Sequence, residues 1–344
     1  MKFKSVLSLA LAAAVAVFSS GCGSEEAKSS DKSYPEKAIT MIVPYGAGGT
    51  TDIVGRQLAS QLNKHLEKNI VCKNQPGASG SIGCKTVLDA PSDGYTVLFA
   101  ADSLGTQRVM GISEMSYDDF EPIMAVANDP KVIVVNSTSK YETLQDLLDE
   151  MKEKPGKVKM SCTGPGGSGH VQALILNELG YTMSMTSYDG GSACFNAVLG
   201  DQVDFTNSNF SAVSSNIESG NLRLLAVSAN ERLPQYPDVP TVSEIIPEAE
   251  KYLDIPFTPL SLLVKKDVPE NVKTTLREAC LKAVEEEEWK KFVSDYNLDK
   301  LYEKYPEIED IKEFYSHWES MVSWLLYDAG AAKISPEEFS IPAV

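Results

Sequence analysis

Histidine is nearly absent from this chain: His65, His170 and His317 are the only three in 344 residues, and they form no HExxH pair. Cysteine is sparse, six in all, with no CxxC spacing. Neither of the common zinc arrangements is therefore encoded, and no metal site and no cofactor are expected. Basic residues are few, 31 against 48 acidic ones, leaving a formal charge of −17. That deficit speaks against nucleic acid as a partner and against a basic membrane-binding face. No apolar run reaches the roughly twenty residues of a membrane-spanning helix. Catalytic signatures are also missing. No Lys-Ser/Thr pair follows Gly46, Gly48 and Gly49, which excludes a P-loop, and Thr51 stands where GxGxxG needs its last glycine. The segments GGSGH (166–170) and GASGS (77–81) both fail the nucleophile-elbow pattern GxSxG. No catalytic residue is assigned.

What is present begins with an export signal. Lys2 and Lys4 precede an apolar run over 5–18, too short to span a bilayer, and Ser19, Ser20 and Gly21 lead to Cys22. This resembles the bacterial lipoprotein signal, which makes 1–21 a signal peptide and Cys22 the lipidated residue. Residues 22–33 lack the apolar content to build a core and read as a flexible tether. Of the five later cysteines, Cys72–Cys84 and Cys162–Cys194 are candidate disulfides or, alternatively, small buried hydrophobes; Cys280 is left over.

Strand and helix patterns then alternate. Strand 38–44, helix 52–66, strand 69–74, a short helix ending at Leu88 and strand 95–100 form one unit. Strand 157–162, helix 170–179, strand 183–189, helix 193–199 and strand 202–208 repeat its order. The rhythm predicts βαβ units, α/β class and a parallel sheet, either as two lobes or as one continuous sheet. The long segment 120–136, interrupted at Asp129–Pro130, and 222–229 are candidate crossings between lobes. A helix is expected over 269–288, with 285–288 on a solvated face. An aromatic helix over 311–326 puts Phe314, Trp318, Met321 and Trp324 on one core-packing stripe.

The chemistry sits in glycine-rich turns between strand ends and helix starts: PYGAGGTTD (44–52), QPGASGSIG (75–83), TGPGGSGH (163–170) and YDGGSA (188–193). Free N–H groups and the positive end of the helix dipole favour an anion there. Asp52 can cap its helix. No arginine lies in these turns, so binding is expected to rest on backbone N–H groups and the hydroxyls of Thr50, Thr51, Thr163, Ser168 and Ser192. A Cβ at Gly48 or Gly169 should block backbone approach to the ligand. His170 reads as a hydrogen-bonding group, with general base as the alternative.

The ordered set YPEKAITMIVPYGAGGTTDIVGRQLA (34–59), NQPGASGSIG (74–83), DGYTVLFA (93–100), GPGGSGH (164–170), YDGGSACFNAVLGDQVDF (188–205) and LRLLAVSANERLPQYPDVPTVSE (222–244) resembles the extracytoplasmic receptors of the tripartite tricarboxylate transporter family, also called TctC or Bug receptors. The resemblance implies two Rossmann-like α/β lobes joined by crossover strands, like a type II periplasmic binding protein or Venus flytrap, with lobe 1 at 34–127 plus 228–344 and lobe 2 at 128–227. It implies a small carboxylate in the cleft: a di- or tricarboxylate, an amino acid or an aromatic acid. The ligand-binding residues it implies are Tyr45, Gly46, Ala47, Gly48, Gly49, Thr50, Thr51 and Asp52, then Thr163, Gly166, Gly167, Ser168, Gly169 and His170, with Ser103, Asp189, Gly190 and Ser208. The implied partners are the membrane permease subunits, and the receptor itself is a monomer. Two departures bear on the ligand: Gln107 follows Thr106 where the family often has His, and Ser208 stands where Asp is frequent. The competing class is a hydrolase or transferase lipoprotein on the same scaffold.

Overall fold

Most of the strands are built from Val-, Ile- and Leu-rich runs buried on both faces, the composition of sheets covered by helices on each side. The computed structural model describes residues 34–253 and 255–343; the signal peptide, Cys22 and the tether lie outside the described residues. The first unit comprises β1 (Ile39–Val43), α1 (Thr50–Leu62), β2 (Ile70–Asn74), α2 (Ser81–Asp89), β3 (Thr96–Ala100) and β4 (Phe120–Asn128). The second comprises β5 (Lys131–Asn136), α3 (Leu144–Glu153), β6 (Lys159–Thr163), α4 (Ser168–Glu178), β7 (Ser184–Tyr188), α5 (Gly191–Leu199), β8 (Phe205–Asn209), α6 (Phe210–Glu218) and β9 (Leu222–Ser228). Then follow α7 (Val242–Ile245), β10 (Pro259–Lys265), α8 (Glu270–Ala283), α9 (Glu287–Asp295), α10 (Leu301–Lys304) and α11 (Ile308–Asp328).

Two separate five-stranded sheets result, ordered β2-β1-β3-β10-β4 and β7-β6-β8-β5-β9. β1 to β3 pair in parallel, and so do β6 to β8. Each sheet takes one antiparallel strand at its fourth position, β10 in the first and β5 in the second. The sheets are therefore mixed, not purely parallel as expected. The cause is the crossing. Only Asp129 and Pro130 separate β4 from β5, far too few for a parallel crossover within one sheet. Pro130 also has no N–H to continue the ladder. The chain steps straight into the other sheet and returns through β10, a strand the alternating pattern did not reveal because irregular chain, not a helix, precedes it.

The expected helix over 269–288 is two helices. α8 ends at Ala283 and Glu286 caps α9, whose first turn holds Glu287 and Glu288. Consecutive glutamates oppose the negative C-terminal end of a helix dipole and suit the positive N-terminal end of the next. Ile39, Met41 and Val43 face α1 and α8 in one buried cluster. Ile42 and Leu98 face the other way, in a cluster that runs on through Trp318 to Leu174 and Phe205. α11 packs on β4 and also reaches α4, so apolar packing joins the two sheets. Phe314 and Trp318 are buried as expected; Met321 and Trp324 instead line a half-open surface groove. All five described cysteines are free. No helix among the described residues is long and apolar enough to cross a membrane.

Candidate functional site

α1, α4 and α5 begin on Gly49, Gly167 and Gly190, and none of them has a side-chain cap. Their first-turn N–H groups therefore face outward without intrahelical partners. The three starts converge on a small cavity of about 40 Å³ between the sheets. Its walls are Tyr45, Gly49, Thr50, Thr51 and Asp102 on the first sheet's side. Thr163, Ser168, Gly191, Ser208, Asn209 and Ala212 face them from the second, with Lys131 and Thr258 beside the crossings.

The remaining expected residues are placed around this cavity and not in its wall. Gly46 and Ala47 hold the lobes together: Gly46 N–H donates to Asp189 O (3.3 Å), and Ser192 Oγ donates to Ala47 O (2.8 Å). Gly190 packs on Gly46 so closely that a Cβ would lie 3.1 Å from Gly46 N. Here the glycines serve the approach of loop to loop. Gly48 has φ +75 and donates its N–H to Asp52 Oδ2 (3.0 Å). Asp52 is not the cap of α1, because Gly49 holds that position; its other oxygen accepts from Arg56 Nε (2.7 Å) and Asn74 Nδ2 (2.8 Å). Ser103 bonds the Tyr45 hydroxyl (2.8 Å). A Cβ on Gly169 would meet Cys162 Cβ at 3.4 Å and Asn207 O at 3.5 Å, so that glycine fits helix to sheet. Gly166 lies against Thr106, whose Oγ1 donates to Gly166 O (3.0 Å). His170 Nδ1 accepts from Gly166 N–H (3.1 Å), and burial holds its pKa below the ordinary value, so the ring is a neutral structural acceptor. The turn over 75–83 does not line the cavity; Ser79 Oγ donates to Pro165 O (3.1 Å) across the lobes. In its place stands the start of α6, with Asn209 and Ala212. Gln107 is fully buried and accepts from Ser113 Oγ, away from the cavity.

The wall also holds what the sequence reading missed. Lys131, 3% exposed, donates from Nζ to Asn209 Oδ1 (3.1 Å). No ion pair of Lys131 with a carboxylate exists among the described residues. Burial depresses its pKa, against the opposing pull of the Asp102 charge. Asp102, 5% exposed, accepts the Ser168 N–H, the first of α4, and burial raises its pKa. Asn209 Nδ2 donates to Thr258 Oγ1 (2.8 Å) and Thr258 Oγ1 donates to Ser168 Oγ (3.5 Å), linking the two charges by a polar chain. Ser208 Oγ is buried with no hydrogen-bond partner. Just behind, Asp129 accepts from Thr50 Oγ1 (2.9 Å), Ser211 N (3.3 Å) and Ser211 Oγ, fastening the starts of α1 and α6. Burial pushes its carboxyl up to about 6. No arginine lines the cavity, but a lysine, from a strand start and not from a turn, faces it. The available signals were a charged residue opening the apolar run KVIVVN and an Asp two residues past β3, the end of a parallel strand where α/β proteins place ligands.

Two mixed α/β sheets with a polar cavity where their helix starts meet define a two-lobed periplasmic-binding-protein fold. Residues 54–322 match the model of the tripartite tricarboxylate transporter family receptor, and the chain belongs to that family. Protein BugT of Bordetella pertussis is 32% identical over 240 residues, 68% of this chain and 73% of BugT. The solved periplasmic binding protein BugD is 25% identical, with a TM-score of 0.80 over 87% of this chain and 99% of BugD. MatC of Rhodopseudomonas palustris, solved with bound malate, shares the fold, with a TM-score of 0.75 and 21% identity over 84% of this chain and 100% of MatC. The protein is accordingly a solute receptor of the extracytoplasmic space.

Proposed function

We propose that this receptor binds a small carboxylate (a di- or tricarboxylate, an amino acid or an aromatic acid) between two lobes and delivers it to the permease subunits of a tripartite tricarboxylate transporter. It binds without turnover, acts as a monomer, and is held at the membrane by lipid on Cys22. Lobe 1 is 34–127 with 228–344 and lobe 2 is 128–227, although 242–253 reaches onto β9 and α4 of the second lobe. The binding residues are Tyr45, Gly49, Thr50, Thr51, Thr163, Ser168 and Ser208 in the wall. The loops 46–48 and 189–190 close over them.

The observation that carries this reading is Lys131. An ammonium removed from water without a carboxylate partner is costly, and an anionic ligand supplies the missing counter-ion. The uncapped starts of α1 and α5 offer N–H groups to the same anion. Malate in MatC, a relative by fold, agrees with a carboxylate ligand. Calorimetry with di- and tricarboxylates, amino acids and aromatic acids tests it. One of them should bind at micromolar affinity or better and be recovered unchanged. Failure of every carboxylate, or product formation that His170→Ala abolishes, would overturn the proposal.

A further inference from the structure

Lys131 and Asp102 are opposite charges, both more than nine-tenths buried in one small wall, each acting on the other electrostatically. Yet they form no ion pair, and their link runs through Asn209, Thr258 and Ser168. Two such groups within reach would ordinarily collapse together, since separation in a low-dielectric interior leaves both uncompensated. Held apart, they match a molecule that carries both signs. A second carboxylate placed against Asp102 would instead set two like charges side by side in a buried site. Asp102 accepts the first N–H of α4, which reserves that helix start for the protein's own carboxylate. A ligand anion is thereby directed to Lys131 and to the free N–H groups of α1 and α5.

Taking the carboxylate reading as its basis, we infer that the ligand is a zwitterion, an amino acid whose carboxylate pairs with Lys131 and whose ammonium donates to Asp102. With both partners in place Lys131 and Asp102 each gain a counter-charge from the ligand; Asp129, which also acts on Lys131, is already held by Thr50 and Ser211. Ser208 Oγ, buried and unpartnered in the same wall, is a neutral group able to complete the ligand's hydrogen bonds. The pair is a specificity device: Lys131 accepts any carboxylate, and Asp102 rejects those lacking a donor beside it.

The test compares each amino acid with its 2-hydroxy analogue, such as aspartate with malate or alanine with lactate, by calorimetry on the full chain. The best amino acid should bind at least 100-fold more tightly than its hydroxy analogue. Asp102→Asn should shrink that ratio to below tenfold, chiefly by weakening the amino acid. Lys131→Met should abolish binding of both while the melting temperature of the ligand-free protein holds or rises, because exchanging a buried charge for an apolar chain relieves desolvation. Equal or tighter binding of hydroxy acids or simple dicarboxylates by the wild type would overturn the inference and leave the carboxylate receptor standing. Absence of binding by all acids would overturn both. A fall in ligand-free melting temperature with Lys131→Met, alongside retained binding, would show that Lys131 belongs to the scaffold and would also overturn the inference.

Discussion

The helices at the cavity begin differently from α3 and α7 at the periphery. α1, α4 and α5 start on glycine, without a side-chain cap. α3 and α7 start on Thr143 and Thr241, each in a reciprocal capping box with Asp146 or Glu244 three residues on. A glycine cap forgoes only a few tenths of a kcal/mol relative to Ser or Thr, so the cavity helices lose little stability. In return α1 and α5 keep first-turn N–H groups unclaimed, while Asp102 takes the first of α4, and the facing loops touch through Gly46, Gly49, Gly190 and Gly191. α3 and α7 satisfy their first turns with their own side chains, and α1 and α5 leave theirs open at the centre.

The strongest way to break that contrast is to bulk up the loop contact. Gly190 has φ 165, extended backbone that valine adopts readily, yet a Cβ there presses on Gly46 N at 3.1 Å. Gly190→Val should hold the loops apart and leave the fold intact. If the closed state drops to about 0.1% of molecules, affinity falls about 1,000-fold. Calorimetry measures the loss, and small-angle scattering should show the liganded variant expanded relative to liganded wild type.

Asp129 sharpens the contrast from the crossing. Its folded pKa of about 6 lies above the ordinary carboxylate range, because burial outweighs the hydrogen bonds from Ser211 and Thr50. The folded state therefore holds the proton more tightly than the unfolded chain. Stability relative to Asp129→Asn should be greatest below about pH 4 and should fall as pH rises to about 6, by roughly 3 kcal/mol in all. Denaturant titrations of both proteins across that window measure it; parallel curves would show that Asp129 does not titrate there.

The smallest effect belongs to the rim. Thr143→Ala removes the acceptor for Asp146 N–H and should cost about 1 kcal/mol of stability with ligand affinity unchanged. A loss of affinity would erase the division between rim and centre.

Much of this was legible in the chain. The alternation of strands and helices over 38–100 and 157–208 follows from local apolar patterning, and the two separate sheets agree with the two-lobed expectation. The glycine turns lie at helix starts because strand-to-helix reversals in tight quarters need them. The misread features are those that depend on distant partners. β10 is an apolar run whose sheet and direction are set by β3 and β4. Asp52 was read as a cap, and its partners Asn74 and Arg56 come from β2 and the next helical turn. Gly169 packs α4 against Cys162 and Asn207 of the sheet, contacts that no turn pattern encodes.

The sequence by itself determined the α/β class, the doubled topology and the family, because these rest on short-range periodicity and on turns spelled out in consecutive residues. Only the tertiary structure decided which charges share the cavity. Lys131 finds Asn209 78 positions away, and Asp102 finds Ser168 66 positions away. Whether a buried charge is paired, bridged or waiting for a ligand is a property of three-dimensional neighbours, and a linear pattern carries no distance between them.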